Sequence, residues 1–114
     1  MTITFDHTED YKRMMFGVIA DSRQNIPEIL NKRGDVIQAY VESQWGLVSP
    51  GVQVYGLWSE TSSLIGYMGL QTGSGPASVK FLQLRPAFVP FSIEIQENIN
   101  NFIVSGDWQF DFLS

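Results

Sequence analysis

The spacing of hydrophobic residues changes several times along the chain, and each change marks the start of a different expected element. In residues 1–6, Ile3 and Phe5 alternate with polar neighbours, which predicts a short, half-buried strand. From Tyr11 onward the apolar positions recur every three or four residues, which is typical of an amphipathic helix. Thr8 or Asp6 is the expected cap of this helix.

A second helix is expected after residue 24. Asn25 followed by Pro27 is a common helix start, because the asparagine side chain can cap the first turn and proline fits within it. The apolar stripe then continues to Val41 through Gly34, which is unfavourable inside a helix. The pattern therefore allows either one kinked helix or two helices.

The middle of the chain has the pattern of a sheet. Residues 52–58 and 64–70 read as two strands joined by a polar turn, and their glycines indicate bulges or close backbone contacts. A glycine-rich loop over 71–78 leads to residues 79–84, which are apolar on both faces and therefore predict a central strand. Arg85 and Pro86 are expected to end that strand.

The last third of the chain predicts a helix and then a strand. Pro90 and Ser92 favour a helix start, although alternation of apolar residues at 91–95 also allows a strand there. Beyond Gly106, Trp108, Phe110 and Phe112 alternate with polar residues, which predicts a final strand with one aromatic face.

Together these elements predict a single α+β domain covering residues 1–114. N-terminal helices are followed by a mostly antiparallel sheet, with one further helix before the last strand. The length is typical of one domain, and 44% hydrophobic residues with only 17% charged residues exclude a disordered chain.

Charge and composition narrow the choice of partners. A net charge of −5 argues against nucleic acid, which proteins hold through clustered lysine and arginine. Five of the seven basic residues lie between positions 12 and 33, but acids are interleaved with them, so this stretch is interpreted as a solvated helical face.

No apolar run is long enough to span a membrane, and the first ten residues do not resemble a signal peptide. We therefore expect a cytoplasmic protein or a component of a macromolecular assembly.

Residues suited to catalysis are few. The sequence has no cysteine and one histidine, His7, so thiolate chemistry and a histidine metal cluster are excluded. Two pairs of acids, Glu94 with Glu97 and Asp107 with Asp111, are better explained as solvent-facing residues than as a hydrolytic pair. We predict no catalytic residue, no metal site and no cofactor.

The order of the elements resembles that of the GNAT acetyltransferase family. In particular, the hairpin formed by residues 54–58 and 64–70 looks like the second and third strands of that family. The resemblance extends over residues 1–112 and implies acetyl-CoA, whose pyrophosphate the family holds on amides of a glycine-containing loop before the next helix. The matching stretch here, 86–91, has no glycine and two prolines, which lack an N–H donor. The family's later helix and strands have no counterpart before Ser114, so the resemblance implies a shortened, inactive relative.

Aromatic residues are the remaining candidates for function. They make up 13% of the sequence, and a cluster with little charge is typical of interface centres. We predict a non-enzymatic protein-interaction or assembly module, an accessory or inhibitory component that binds protein, either itself as a homo-oligomer or a larger complex. The candidate contact residues are Phe88, Phe91, Trp108, Phe110 and Phe112. The alternative is a degenerate GNAT-like acyl-CoA-binding protein or acetyltransferase, in which Arg85 would contact phosphate.

Overall fold

A four-stranded antiparallel sheet forms the centre of the protein, with helices on both faces. The structure is a computed structural model and describes residues 1–73 and 75–109. The strands are β1 (Ile3–His7), β2 (Val52–Ser59), β3 (Leu64–Gln71) and β4 (Ser78–Leu84), and the helices are α1 (Tyr11–Asp21), α2 (Gly34–Trp45) and α3 (Ser92–Ser105). Sheet order follows chain order, β1-β2-β3-β4. The predicted α+β class is confirmed.

Two hydrophobic cores lie on opposite faces of the sheet. The first lies under α3 and contains Tyr55, Met68 and Leu70 of the sheet with Ile95 and Ile99 of the helix. The second lies under α1 and α2 and is built around Met15, Ile19, Val41 and Tyr67. Because side chains alternate along a strand, β3 contributes Met68 and Leu70 to the first core and Tyr67 to the second. Residues on both faces of β2 and β3 are buried, which explains why their sequences are mostly apolar.

The second helix begins later than the sequence pattern predicts. Residues Arg23–Asn25 form a 3₁₀ turn, and α2 begins only at Gly34, so the helix start predicted at Asn25 and Pro27 is wrong. Ile26 and Ile29 are nevertheless buried, because they anchor a turn rather than a helix. Gly34 lies in the first turn of α2, where its low helix propensity costs less than it would in the interior.

Glycines in β3 allow close contacts, as predicted. A side chain at Gly66 would overlap the backbone carbonyl of Gln83 on β4, and one at Gly69 would overlap the ring of Phe81. The pairing of β3 with β4 also shifts between Gly69 and Leu70, which is a β-bulge. These contacts hold β4 tightly against β3.

The end of the described chain differs from the predicted final strand. After α3, Asp107–Gln109 form a 3₁₀ turn, so Trp108 does not lie in a strand. Its indole Nε1 donates to the carbonyl of Ile103, 3.3 Å away, which closes the turn onto α3. The rest of the predicted strand, with Phe110 and Phe112, lies outside the described residues.

Candidate functional site

The outer side of β4 is an open sheet edge in the part of the chain that the structure describes. The Arg85 amide donates to the Ile65 carbonyl on β3 at 2.8 Å. In an antiparallel strand the peptide groups of alternate residues face the neighbouring strand, so those of Arg85 and Gln83 face β3. The peptide groups of Leu84 and Leu82, which lie between them in the alternation, therefore point away from β3. We call this side of Ser78–Leu84 the β4 edge.

One end of the β4 edge is covered by other residues. The Leu84 carbonyl accepts hydrogen bonds from the Ser22 hydroxyl and from the Gln83 side-chain amide, each at 3.2 Å. Ser22 is fully buried where α1 ends, so α1 closes this end of the strand. The part of the edge that these bonds leave uncovered runs from Ser78 to Leu82, and Lys80 within it is the extra residue of the β-bulge, since Phe81 pairs with Gly69 and Val79 with Leu70.

A groove lies between the β4 edge and α3. It has a volume of about 210 Å³ and is lined by Val79, Leu82, Gln96, Ile99 and Asn100, which we call the α3 groove. Val79 is 38% exposed, which is high for a large apolar residue in a strand. An open edge beside an apolar groove can accept an extended ligand, because the backbone supplies hydrogen bonds and the groove accepts side chains.

The turn after β4 does not form an anion-binding loop. Residues Pro86–Phe91 form a 3₁₀ helix that leads directly into α3. Neither Pro86 nor Pro90 has an N–H group, and the amides of Phe88 and Ser92 already donate to the Arg85 and Val89 carbonyls. Glu94 adds negative charge in the first turn of α3. Amides and positive charge, which a phosphate requires at a helix start, are therefore not gathered here.

Arg85 is already engaged within the protein. Its Nε donates to Asp21 Oδ2 at 2.8 Å and its Nη1 donates to the Leu64 carbonyl at 2.9 Å. These bonds connect the end of β4 with the end of α1 and with the start of β3. A phosphate contact by Arg85 would require breaking them.

The predicted contact residues fall into three groups. Phe91 is 43% exposed and is available to a partner. Phe88 and Trp108 are half-buried and pack against the core beneath α3, so they contribute at least in part to the core. Phe110 and Phe112 lie outside the described residues.

Two strongly exposed apolar residues of α3 were missed in the sequence. Ile93 is 76% exposed and Val104 is 87% exposed. They are eleven residues apart, which places them on the same side of a helix with 3.6 residues per turn. A helical projection centred on the buried Ile95 and Ile99 would have shown both outside the stripe.

The residues considered for catalysis are dispersed. His7 lies on the edge strand β1, at the opposite side of the sheet from β4. The centre of its ring is 5.4 Å from the centre of the Tyr55 ring. Glu94 is paired with the N-terminal ammonium group at 3.3 Å, and Asp111 lies outside the described residues. Within the described ranges, no group of three or more His, Asp and Glu side chains could hold a metal ion.

Two tyrosines near α2 have raised pKa values. Burial raises the pKa of Tyr67, with a smaller contribution from Tyr40, and burial followed by the charge of Glu28 raises the pKa of Tyr40. Both phenols are therefore neutral at physiological pH. Tyr67 packs edge-on against Phe81 at 6.0 Å, which indicates a role in packing.

None of the helices in the described ranges combines the length and the apolar character that a membrane span requires. The longest, α3, has 14 residues.

Comparison with solved structures identifies a similar fold. An acetyltransferase of the GNAT family from Staphylococcus aureus Mu50 superposes with a TM-score of 0.54 over 95% of this chain and 68% of that chain, at 17% sequence identity. At this identity the likeness shows the fold, and the resemblance noted in the sequence is confirmed at that level. No family model and no curated protein matches the chain.

Proposed function

We propose that this GNAT-like domain is a protein-interaction module that pairs strands through the β4 edge, with a second copy of the chain as its partner. The observation that supports this most directly is the outward-facing peptide group of Leu82 beside the exposed Val79 and the α3 groove. An antiparallel strand edge is complementary to itself. Two copies related by a two-fold axis can therefore exchange the same hydrogen bonds in both directions.

The single charge on β4 restricts how two copies would pair. Lys80 is exposed, and lysine on an edge strand disfavours pairing in which like charges lie opposite each other. The proposed register therefore offsets the two copies so that each Lys80 faces an uncharged position. Val79, on the neighbouring position, supplies apolar contact to the partner.

Acyl-CoA binding is the second candidate function, and the fold shared with the Staphylococcus aureus acetyltransferase favours it. The turn Pro86–Phe91 argues against the family's way of holding pyrophosphate, because two of its residues lack an N–H and others already donate within the turn. The internal bonds of Arg85 also argue against it. For these two reasons we rank the interaction module above acyl-CoA binding.

Replacing Val79 with lysine tests the proposed interface. We expect the unmodified protein to elute with a light-scattering mass twice the 12.9 kDa of one chain, and Val79→Lys to elute with the mass of one chain. The charge would lie at the edge and oppose pairing. Val36→Lys is the matched control, because Val36 is equally exposed at 38% but lies on α2. The control is expected to remain a dimer.

The same samples test the second candidate. A monomeric protein whose melting temperature rises with added acetyl-CoA would reject the interaction module in favour of acyl-CoA binding, since a ligand that binds only the folded state stabilises it. A dimer that both lysine variants disrupt equally would place the interface elsewhere. A monomer without any response to acetyl-CoA would reject both functions.

A further inference from the structure

A hollow lined by hydrogen-bond donors lies in the connection between α1 and α2. Its volume is about 340 Å³, and its lining consists of Arg23, Gln24, Asn31 and Lys32, which we call the basic hollow. All four residues are exposed. Two of them are cations, the other two carry side-chain amides, and no acid is among them. This is unusual in a protein whose net charge is −5.

The acids interleaved with this basic stretch interact elsewhere. Asp21 binds Arg85 at 2.8 Å, and Asp35 binds Arg33 at 3.2 Å. The charge of Glu28 acts on Tyr40, whose pKa is raised first by burial and then by this carboxylate. Among the described residues, neither Arg23 nor Lys32 has an acidic partner within 4.0 Å. Their charges are therefore available to an external anion, which the sequence interpretation of a solvated helical face does not account for.

The backbone holds the basic hollow in a defined shape. Ile26 and Ile29 are buried on either side of the turn, with exposures of 4% and 1%. The Ile29 amide donates to the Ile26 carbonyl at 3.1 Å, and the Lys32 amide donates to the Ile29 carbonyl at 3.0 Å. Asn31 adopts a φ of 59°, a left-handed conformation that asparagine accepts more readily than most residues. The backbone that carries the four side chains is thus fixed before any ligand arrives, so binding has to order the side chains alone.

We propose that the basic hollow binds the phosphate group of a small phosphate ester. A phosphate monoester carries close to two negative charges near neutral pH and has three terminal oxygens, which match two cations and two amides. A carboxylate has one charge and two oxygens, and would leave donors without an acceptor. The site is too small a basic patch for a nucleic acid, which requires many phosphate contacts. It belongs to the α1–α2 connection and does not depend on pairing through the β4 edge.

Titration with inorganic phosphate at constant ionic strength tests this site, with the side-chain amide resonances of Gln24 and Asn31 followed by NMR. We expect both resonances to shift with one common saturation curve. Arg23→Gln and Lys32→Gln should each weaken the affinity about tenfold, because each removes one charged donor. All of the substituted residues are exposed, so the variants are expected to fold, and the remaining amide resonances report this directly.

Arg33→Gln is the matched control. It changes the net charge by the same amount, but Arg33 is paired with Asp35 and does not line the hollow. We expect less than about a twofold change in affinity for this variant, because the charge of Arg33 is already paired with Asp35 and exposed charges are screened by salt. Equal weakening by all three variants would show general charge attraction and overturn the proposal. Acetate binding as tightly as phosphate would overturn the choice of ligand class, and the absence of saturable shifts would overturn the site.

Discussion

Gly66 and Gly17 differ in the space that their surroundings leave for a side chain. A Cβ at Gly66 would collide with the backbone of Gln83 and Leu84, and neither strand can move without disturbing the pairing of β3 with β4. At Gly17, in α1, no side chain and no backbone from outside the adjoining turns of the helix lies within 4 Å of the position that a Cβ would occupy. The same substitution is therefore expected to have opposite effects at the two positions.

Alanine at Gly66 is expected to lower the free energy of unfolding by about 3 kcal/mol, as in an overpacked core. Alanine at Gly17 should raise it by about 0.5–1 kcal/mol, because alanine favours the helix. Urea unfolding of the two variants beside the unmodified protein measures both values. If Gly66→Ala were as stable as Gly17→Ala, the close approach of β4 to β3 would be wrong.

At the scale of elements, Arg85 connects three of them. Its bond to Asp21 is a partly exposed ion pair, since the side chains are 36% and 48% exposed, whereas its bond to the Leu64 carbonyl joins it to β3. Half-exposed ion pairs contribute little and are screened by salt. Asp21→Asn should therefore cost less than about 1 kcal/mol of unfolding free energy, and this cost should shrink at high salt.

Arg85→Met should cost more than Asp21→Asn, about 1–2 kcal/mol, because it also leaves the Leu64 carbonyl without its donor. Methionine retains an unbranched apolar stem, so the measured loss reports the hydrogen bonds. Unfolding curves at low and high salt compare the two variants, and the loss for Arg85→Met should persist in salt. Equal losses that both vanish in salt would show that the carbonyl contact contributes nothing.

The elements themselves differ in how far they could be predicted. β2 and β3 were predictable because their continuous apolar pattern reports burial on both faces, and α3 because Ile95 and Ile99 repeat at helical spacing. The start of α2 was not predictable from Asn25 and Pro27, since the same residues also suit a turn that buried isoleucines anchor.

The candidate sites were harder to predict from the sequence than the fold. Whether β4 is central or at an edge depends on which strands pair, and its apolar sequence alone suggests a central strand. The basic hollow requires knowing that Asp21 and Asp35 bind Arg85 and Arg33 instead of its own cations. Asp21 and Arg85 are 64 residues apart in the sequence, so no local pattern predicts their ion pair.

At the scale of the whole molecule, the layer formed by α1, α2 and the sheet contains an ionisable group in an apolar setting. Tyr67 is 1% exposed and lies in the core with Met15, Ile19 and Val41. Burial raises the pKa of its phenol above the ordinary value of 10.0, because the phenolate would lose its hydration in the folded protein. The unfolded chain hydrates the same phenol freely.

This difference makes the stability of the whole domain depend on pH in the alkaline range. Above about pH 10 the unfolded chain releases the Tyr67 proton while the folded protein retains it, so ionisation favours unfolding and stability falls as pH rises. The loss approaches about 1.4 kcal/mol per pH unit for a single group. Urea unfolding at pH 8 and pH 11 should therefore show a steeper decline in stability for the unmodified protein than for Tyr67→Phe, which retains the ring and its packing against Phe81.

The difference between the two declines is expected to be about 1 kcal/mol. Every lysine and the remaining tyrosines titrate in both proteins, so the difference reports the Tyr67 phenol alone. Parallel declines would mean that the Tyr67 phenolate is accommodated in the folded core, which would contradict the burial that joins β3 to the α1 and α2 layer.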